Sequence, residues 1–438
     1  MSLSSKLSDV LPRNSHFKYA YVQSRPVYVK SPINLKSNAS NRPETVKIRH
    51  FFNLIQADMV ILLGVEVYTY LQIYHSHVDQ FIFVAKCDTT GLAKLPFKVA
   101  RVAEVFLRYV MDFDISKYEI RERKQQPNQE SCETNGTIAL IHKLQAKLKR
   151  DPSHFYRLPH YSLINPQLKT QKRNQRKLPS RLNLRLCLFT KTAPQYLYPN
   201  SSRNKLKHLI TGQALLQWWV KIVDKLTQTW PRRKLIIPGS DELATRKFLR
   251  QGWTQGWIFE SLSDLESESD SAVAVFNVPV FPDDPKGRFL EHLIVEHRWQ
   301  RVSTQEFYGE LGYRSEFRRG DCVGLIGCAV DGIEQAVPSS SAAAAAAAVV
   351  SLRQYKMFLD LIKSVNFDVV VDVRHLVGVA IAELFKRCGV DFEYAEVIGR
   401  CDMDNSEKRG GNDSGGERKR VAPVANDLTG LIKRRKKK

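Results

Sequence analysis

Apolar and charged side chains alternate along Val46-Lys47-Ile48-Arg49-His50-Phe51, the period of a half-buried strand. Met59 to Leu63, Val65 to Ile73 and Phe81 to Ala85 are rich in β-branched and aromatic residues, so 46–84 predicts a strand meander. Shorter extended pieces, such as Tyr19 to Val29, precede it. The period then changes. Val99, Val102, Val105, Phe106 and Val110 recur at helical spacing. Leu184 to Phe189 predicts a strand. Gln213 to Trp230 predicts a helix whose apolar stripe is Leu215, Trp219, Ile222 and Leu226. Lys234 to Ile237 reads as a strand, Asp241 to Gln251 as a helix and Ala272 to Val280 as a strand. Pro282-Asp283-Asp284-Pro285 opens a helix through Phe289, Leu290 and Leu293. Leu352 to Val365 and Val373 to Cys388 predict two more helices. Strands interleaved with helices define an α/β chain.

Polar and biased segments interrupt this pattern. Lys124 to Gly136 has loop composition, Thr137 to Arg150 a short amphipathic period, and the stretch to Arg181 is basic and irregular. Residues 124–181 are therefore expected to form a flexible basic insertion. Ser339-Ser340-Ser341 and the alanine run Ala342 to Ala348 predict a low-complexity loop over 338–350. From Cys401 to Lys438 Gly, Asn, Asp, Ser and charge dominate, predicting a disordered basic tail.

At 438 residues the chain can bury one large core or two ordinary ones. No apolar run is long enough to cross a bilayer, and Met1 to Ser15 has no apolar centre like that of a signal peptide. A soluble protein made in the cytosol, with no membrane partner, is expected. The seven cysteines are scattered without a C-x-x-C pair, which argues against a zinc site or a disulfide framework. The location of the net charge of +22 matters more than its size. Lys143 to Arg181 carries eleven Lys/Arg against one acid, and Asp402 to Lys438 eleven against six. These two segments hold most of the excess, as expected for contact with nucleic acid or an acidic protein. Lys433 to Lys438 is six consecutive basic residues, a common nuclear import run.

The familiar catalytic signatures are missing. There is no G-x-x-x-x-G-K-[ST], no G-x-G-x-x-G after a strand, no H-E-x-x-H and no G-x-S-x-G. The [QR]-x-x-G-x-[GA] phosphate cradle of the commonest acetyltransferases is absent too. Pattern alone stops at a basic α/β protein.

Three stretches carry a resemblance. The first is Leu186-Cys187-Leu188-Phe189-Thr190-Lys191, continuing through Ala193, Gln195 to Pro199, Ser201-Ser202 and Lys207-His208 to Trp218-Trp219. The second is Val275 to Phe289, containing Pro282-Asp283-Asp284-Pro285-Lys286. The third joins His50-Phe51-Phe52, Val65 to Tyr68 and Phe83 to Thr89. With weaker similarity between them, most of 1–400 resembles the fungal histone acetyltransferase family called regulator of Ty transposition. That family resembles the acetyltransferase domain of the CREB-binding protein. The resemblance implies one large acetyltransferase-like domain over 1–400, with a central mixed β-sheet surrounded by helices and a cleft for acetyl-CoA. It implies acetyl transfer to lysines of histone three in complex with histone four. Acidic histone chaperones of the nucleosome-assembly-protein and anti-silencing-function types are the implied helpers. It further implies a nuclear role in replication-coupled nucleosome assembly and DNA damage tolerance. No metal and no sequence-specific nucleic acid are expected.

Acyl transfer to an amine needs a held cofactor, a neutral amine and a stabilised oxyanion. The resemblance places acetyl-CoA against Cys87-Asp88-Thr89, the turn Pro96-Phe97-Lys98-Val99-Ala100, Phe189, Ala193, His208-Leu209-Ile210 and Trp218. The family has Arg at the position of Pro96, which leaves Lys98 as the cation of that turn. Lys205 and Lys207 are expected to add positive potential near the phosphates. By resemblance Asp284 is the general base, with Asp283 beside it to raise its pKa; N-capping of the following helix is the competing structural role. Tyr196 and Trp219 are expected to wall the channel for the lysine stem, with Asp88 fixing the nearby loop. Lys286 matches a lysine that the family acetylates on itself. A rival class of function remains, a non-catalytic basic protein that binds chromatin or nucleic acid.

Overall fold

The structure is a computed structural model that describes residues 2–34, 43–122, 176–259, 273–314, 317, 322–334 and 348–402. The amphipathic stretch over 137–150, most of the insertion, the alanine run before Ala348 and the tail beyond 402 lie outside these residues.

The strand meander is longer than its sequence signal. Strands β1 (His16–Ser24), β2 (Val27–Val29), β3 (Glu44–Gln56), β4 (Val60–Ile73) and β5 (Val78–Thr89) pair antiparallel in succession, apart from β2, which flanks β3. β6 (Arg181–Thr190), β7 (Arg232–Ile236), β8 (Thr254–Gln255), β9 (Gly324–Glu334), β10 (Ala348–Val350) and β11 (Ala395–Ile398) extend the sheet to eleven strands. The order is β10-β1-β3-β4-β5-β6-β9-β7-β8, with β11 also on β1. The β1–β10, β5–β6 and β7–β8 pairs are parallel and the others antiparallel, so the sheet is mixed.

Helices cover both faces. In chain order they are α1 (Leu3–Ser8), α2 (Val99–Met111), α3 (Gly212–Leu226), α4 (Glu242–Arg246), α5 (Ala274–Asn277), α6 (Pro285–Val295), α7 (Thr304–Leu311), α8 (Leu352–Lys363), α9 (Val370–His375) and α10 (Ile381–Arg387). Alternate strand residues feed two separate cores. Ile82, Val84, Leu186 and Leu188 join the larger one with α2, α3, α8 and α10. Phe81, Phe83 and Cys187 join the other, under α6 and α7. The sheet is therefore buried on both faces, and every residue of β4 is buried. Gly64 on that strand is forced, because a Cβ there would lie 2.0 Å from the Tyr198 hydroxyl, which donates to Asn53 Oδ1 at 2.6 Å. Among the described residues no helix is long and apolar enough to cross a membrane.

Five sequence expectations change. Ala272 to Val280 is not a strand: its described part forms the single turn α5, closed by Asn277 Nδ2 donating to Val273 O at 3.1 Å. Ala274, Val275 and Val278 are buried at helical rather than alternate spacing, and Val273 makes one isolated bridge, to Ser303. The helix expected over 241–251 shrinks to α4, capped by Asp241 and followed by Gly252 at φ +77°. The low-complexity loop ends earlier than 350, because Ala348 and Val350 alternate inward as β10 and close the edge of β1. The ordered chain also runs past 400: Cys401 N–H donates to Leu11 O at 2.9 Å and its carbonyl accepts from Arg13 at 2.8 Å. At the other boundary, Arg176 pairs with Glu44 and Arg181 opens β6, so the end of the basic stretch belongs to the fold.

His50 shows what the central sheet demands of a polar side chain. It is fully buried, with Nδ1 2.8 Å from the Tyr21 hydroxyl and Nε2 3.2 Å from Thr69 Oγ1. Burial pushes its pKa down to about 3, so the folded protein keeps it neutral. The unfolded chain takes up that proton near the ordinary value of about 6.5, so the stability it contributes is full above that pH and lost as pH falls toward 3. Between pH 7 and pH 4 the wild type is expected to lose about 3 kcal/mol more than His50→Gln in parallel denaturant titrations. Equal losses would remove His50 from the acid limb.

Candidate active site

The end of β5, the loop after β6 and the start of α3 enclose a cavity of about 600 Å³. Cys87, Asp88 and Thr89 form one wall, Lys191 to Pro194 and Tyr196 a second, Lys207 to Ile210 a third, and Leu215, Trp218 and Trp219 the floor with Val99. A second cavity of about 690 Å³ adjoins it and shares Val99 and Trp218. That cavity is ringed by Lys98, Arg101, Lys221, Lys225 and Arg250, with Glu104 and Asp224 as its acids. Asp224 is already engaged, accepting from Arg233 at 3.0 Å and from the Trp253 indole at 2.8 Å. An apolar chamber thus lies beside a cationic one.

The two indoles meet edge to face, with centroids 4.7 Å apart and planes at 80°. Trp219 is 4% exposed and serves both as core and as cavity wall, whereas Trp218 is half-buried between the chambers. Asp88 is spent on structure. Its Oδ2 accepts the Tyr196 and Leu197 N–H groups at 2.7 and 2.9 Å, and its Oδ1 accepts Lys207 Nζ at 2.9 Å. Tyr196 is 40% exposed and donates its hydroxyl to Lys191 O. Burial pushes the Cys87 thiol up to about 12, which keeps it protonated and a poor acetyl acceptor.

Most of the expected cofactor residues gather here. Cys87, Asp88, Thr89, Ala193, His208, Leu209, Ile210 and Trp218 line the first chamber, Lys98 and Ala100 the second, and Val99 both. Three do not. Pro96 is exposed and lines neither chamber, Phe97 packs its ring 6.5 Å from Phe17, and Phe189 packs on Phe317 in the second core. Lys207 turns into the protein instead of toward an outer phosphate.

The acidic pair also departs from expectation. Asp284 caps α6, accepting the Lys286 N–H at 3.1 Å, and its other oxygen takes Lys286 Nζ at 2.5 Å. The two side chains are 0% and 2% exposed and line neither chamber. Asp283 does not stand beside it as a second carboxylate. Its φ of +59° turns the side chain outward, 78% exposed, to Lys86 at 3.3 Å. Both Asp284 oxygens are thus occupied, one by the helix cap and one by the Lys286 ammonium. Sequence reasoning also missed Arg101, Lys221, Lys225 and Arg250. The four-residue spacing from Lys221 to Lys225 puts that pair on one face of α3, and Arg101 lies in the first turn of α2, just after its N-cap Lys98. Only packing shows that the faces converge.

A mixed sheet covered on both faces thus carries an apolar chamber beside a cationic one, where the end of a strand meets the starts of two helices. The histone acetyltransferase KAT11-type domain matches residues 3–383. Histone acetyltransferase RTT109 of Candida albicans is 41% identical over 372 residues, covering 84% of this chain and 97% of that protein. Histone acetyltransferase rtt109 of Schizosaccharomyces pombe is 32% identical over 162 residues, covering 33% of this chain and 40% of that one. The crystal structure of Rtt109 from Aspergillus fumigatus superposes with a TM-score of 0.65 at 20% identity, covering 92% of this chain and 100% of its own, which establishes the shared fold. The chain belongs to the KAT11-type histone acetyltransferase family and is a lysine acetyltransferase that uses acetyl-CoA.

Proposed function

We propose that the apolar chamber holds the acetyl and pantetheine end of acetyl-CoA, that the cationic chamber receives its phosphates, and that the acceptor is a lysine of histone three in complex with histone four. Acidic chaperones of the nucleosome-assembly-protein and anti-silencing-function types would present that substrate in the nucleus, attracted by the basic surface. The adjacency of the two chambers, which share Val99 and Trp218 in their walls, carries this reading. Bound acetyl-CoA would supply an acetyl group activated as a thioester. Trp219 and Tyr196 would hold the lysine stem, and Asp88 would fix the Tyr196 backbone. Asp284 serves by capping α6 and holding Lys286. Lys286 is proposed as a self-acetylated residue, modified while its side chain is outside the buried pair; acetylation removes the ammonium that Asp284 now binds.

Transfer of labelled acetyl from acetyl-CoA to a histone three–histone four complex, with and without an acidic histone chaperone, tests the reading. Chaperone-enhanced labelling is expected. Lys221→Glu/Arg250→Glu is expected to raise the KM for acetyl-CoA at least tenfold and leave kcat nearly unchanged, since phosphate binding is made equally in the ground and transition states. No label on histone or on Lys286 under any condition would leave a chromatin-binding protein instead. Transfer with an unchanged KM would move the phosphates elsewhere.

A further inference from the structure

Lys207 stands in the chamber wall, yet its ammonium points into the protein. Its side chain is 4% exposed, and Nζ donates to Asp88 Oδ1 at 2.9 Å and to Ser201 Oγ at 2.6 Å. Because Asp88 Oδ2 also accepts from Tyr196 and Leu197, one carboxylate ties three segments together: the end of β5, the Tyr196 loop and the segment leading to Lys207. The joint is tight. A Cβ on Gly91, whose φ is +70°, would meet Lys207 N and Cβ at 2.6 Å. Asn204 Nδ2 adds bonds to Thr90 O at 2.6 Å and to Phe367 O at 2.8 Å.

Beyond Lys207 the chain runs through 208–210 without regular structure until Thr211, whose Oγ1 accepts the Ala214 N–H and caps α3. His208, Leu209 and Ile210 line the chamber, although Leu209 is 62% and Ile210 43% exposed. This wall therefore hangs between two fixed points, the Asp88–Lys207 pair and the α3 cap. A buried ion pair adds little net stability over an apolar pair of the same size, so what it supplies here is geometry.

We propose that Lys207 is a positioning residue for acetyl transfer: paired with Asp88, it holds the 208–210 wall and the Tyr196 loop at the separation that closes on the pantetheine arm. The inference rests on the chamber being the acetyl-CoA site. It differs from a lysine that binds phosphate, which would act only on the outer end of the donor.

The test uses full-length Lys207→Met, Lys207→Arg and the double variant Asp88→Asn/Lys207→Met. Steady-state rates are measured with acetyl-CoA and with S-acetylpantetheine, which lacks the phosphates, alongside thermal melts. Lys207→Met is expected to lose at least tenfold in kcat/KM with both donors alike, and Lys207→Arg to recover part of that loss. The double variant, free of a buried unpaired charge, should regain a melting temperature close to wild type and remain slow. A loss confined to acetyl-CoA would make Lys207 a phosphate contact and overturn the proposal. So would a double variant that recovers both stability and rate, or a Lys207→Met enzyme as fast as wild type. A wild type that transfers acetyl from neither donor would instead overturn the reading of the chamber.

Discussion

Asp284→Ala is expected to destabilise the protein by about 3–5 kcal/mol, because it strands the Lys286 ammonium in the core. The two side chains are 0% and 2% exposed, so water cannot replace the lost carboxylate without opening the site. The Trp257 ring lies 5.9 Å from Lys286 Nζ, at the outer limit of a useful cation–π contact. Removing the α6 cap adds a further loss of about 1 kcal/mol. Asp284→Asn/Lys286→Met removes both charges and keeps a side chain able to cap, so it should stay within about 1–2 kcal/mol of wild type. Urea unfolding of the three proteins decides the matter. A single variant as stable as the double one would show that the pair is hydrated in solution, and would reopen a direct chemical role for Asp284.

The indole pair should separate folding from catalysis. Trp219 is 4% exposed, so Trp219→Ala should cost about 3–5 kcal/mol of stability, the range for emptying a core indole site, and abolish transfer at temperatures where the protein melts. Trp218 is only half-buried and forms the boundary of both chambers. Trp218→Ala should cost less stability, about 1–2 kcal/mol, while weakening CoA binding tenfold or more through lost apolar contact. Thermal melts and calorimetric titration with CoA read the two effects independently. A Trp218→Ala protein that binds CoA like wild type would place the donor outside the shared boundary.

The parts legible in the sequence are those set by local periodicity. The meander from β3 to β5, helix α2 and the stripe of α3 follow directly from alternation or helical spacing. The loop after β6 was visible only through long matched motifs, because it has no period, whereas the Pro-Asp-Asp-Pro turn was legible as the start of α6. The segment after Val273 went the other way: its apolar run fits a strand, yet Ala274–Asn277 forms a helical turn closed by the Asn277 side chain on Val273 O.

The pairing of charges around the chamber was less legible than which residues gather there. The sequence named Asp88, Asp283, Asp284 and Lys207 as charged groups near one another in function, but a charge acquires its role from what faces it. Asp88 and Lys207 are 119 residues apart, and the chain must close that distance before one becomes the buried partner of the other. Asp283 and Asp284 are neighbours in sequence, yet a left-handed backbone at Asp283 sends one carboxylate to solvent and the other into the core. The sequence by itself determined the strands, the long helices and the family, because those depend on backbone period and on ordered motifs. Only the tertiary structure decided which charges are paired and that residues of α2 and α3 line two adjoining chambers, because these depend on distances across the sheet that no local pattern encodes.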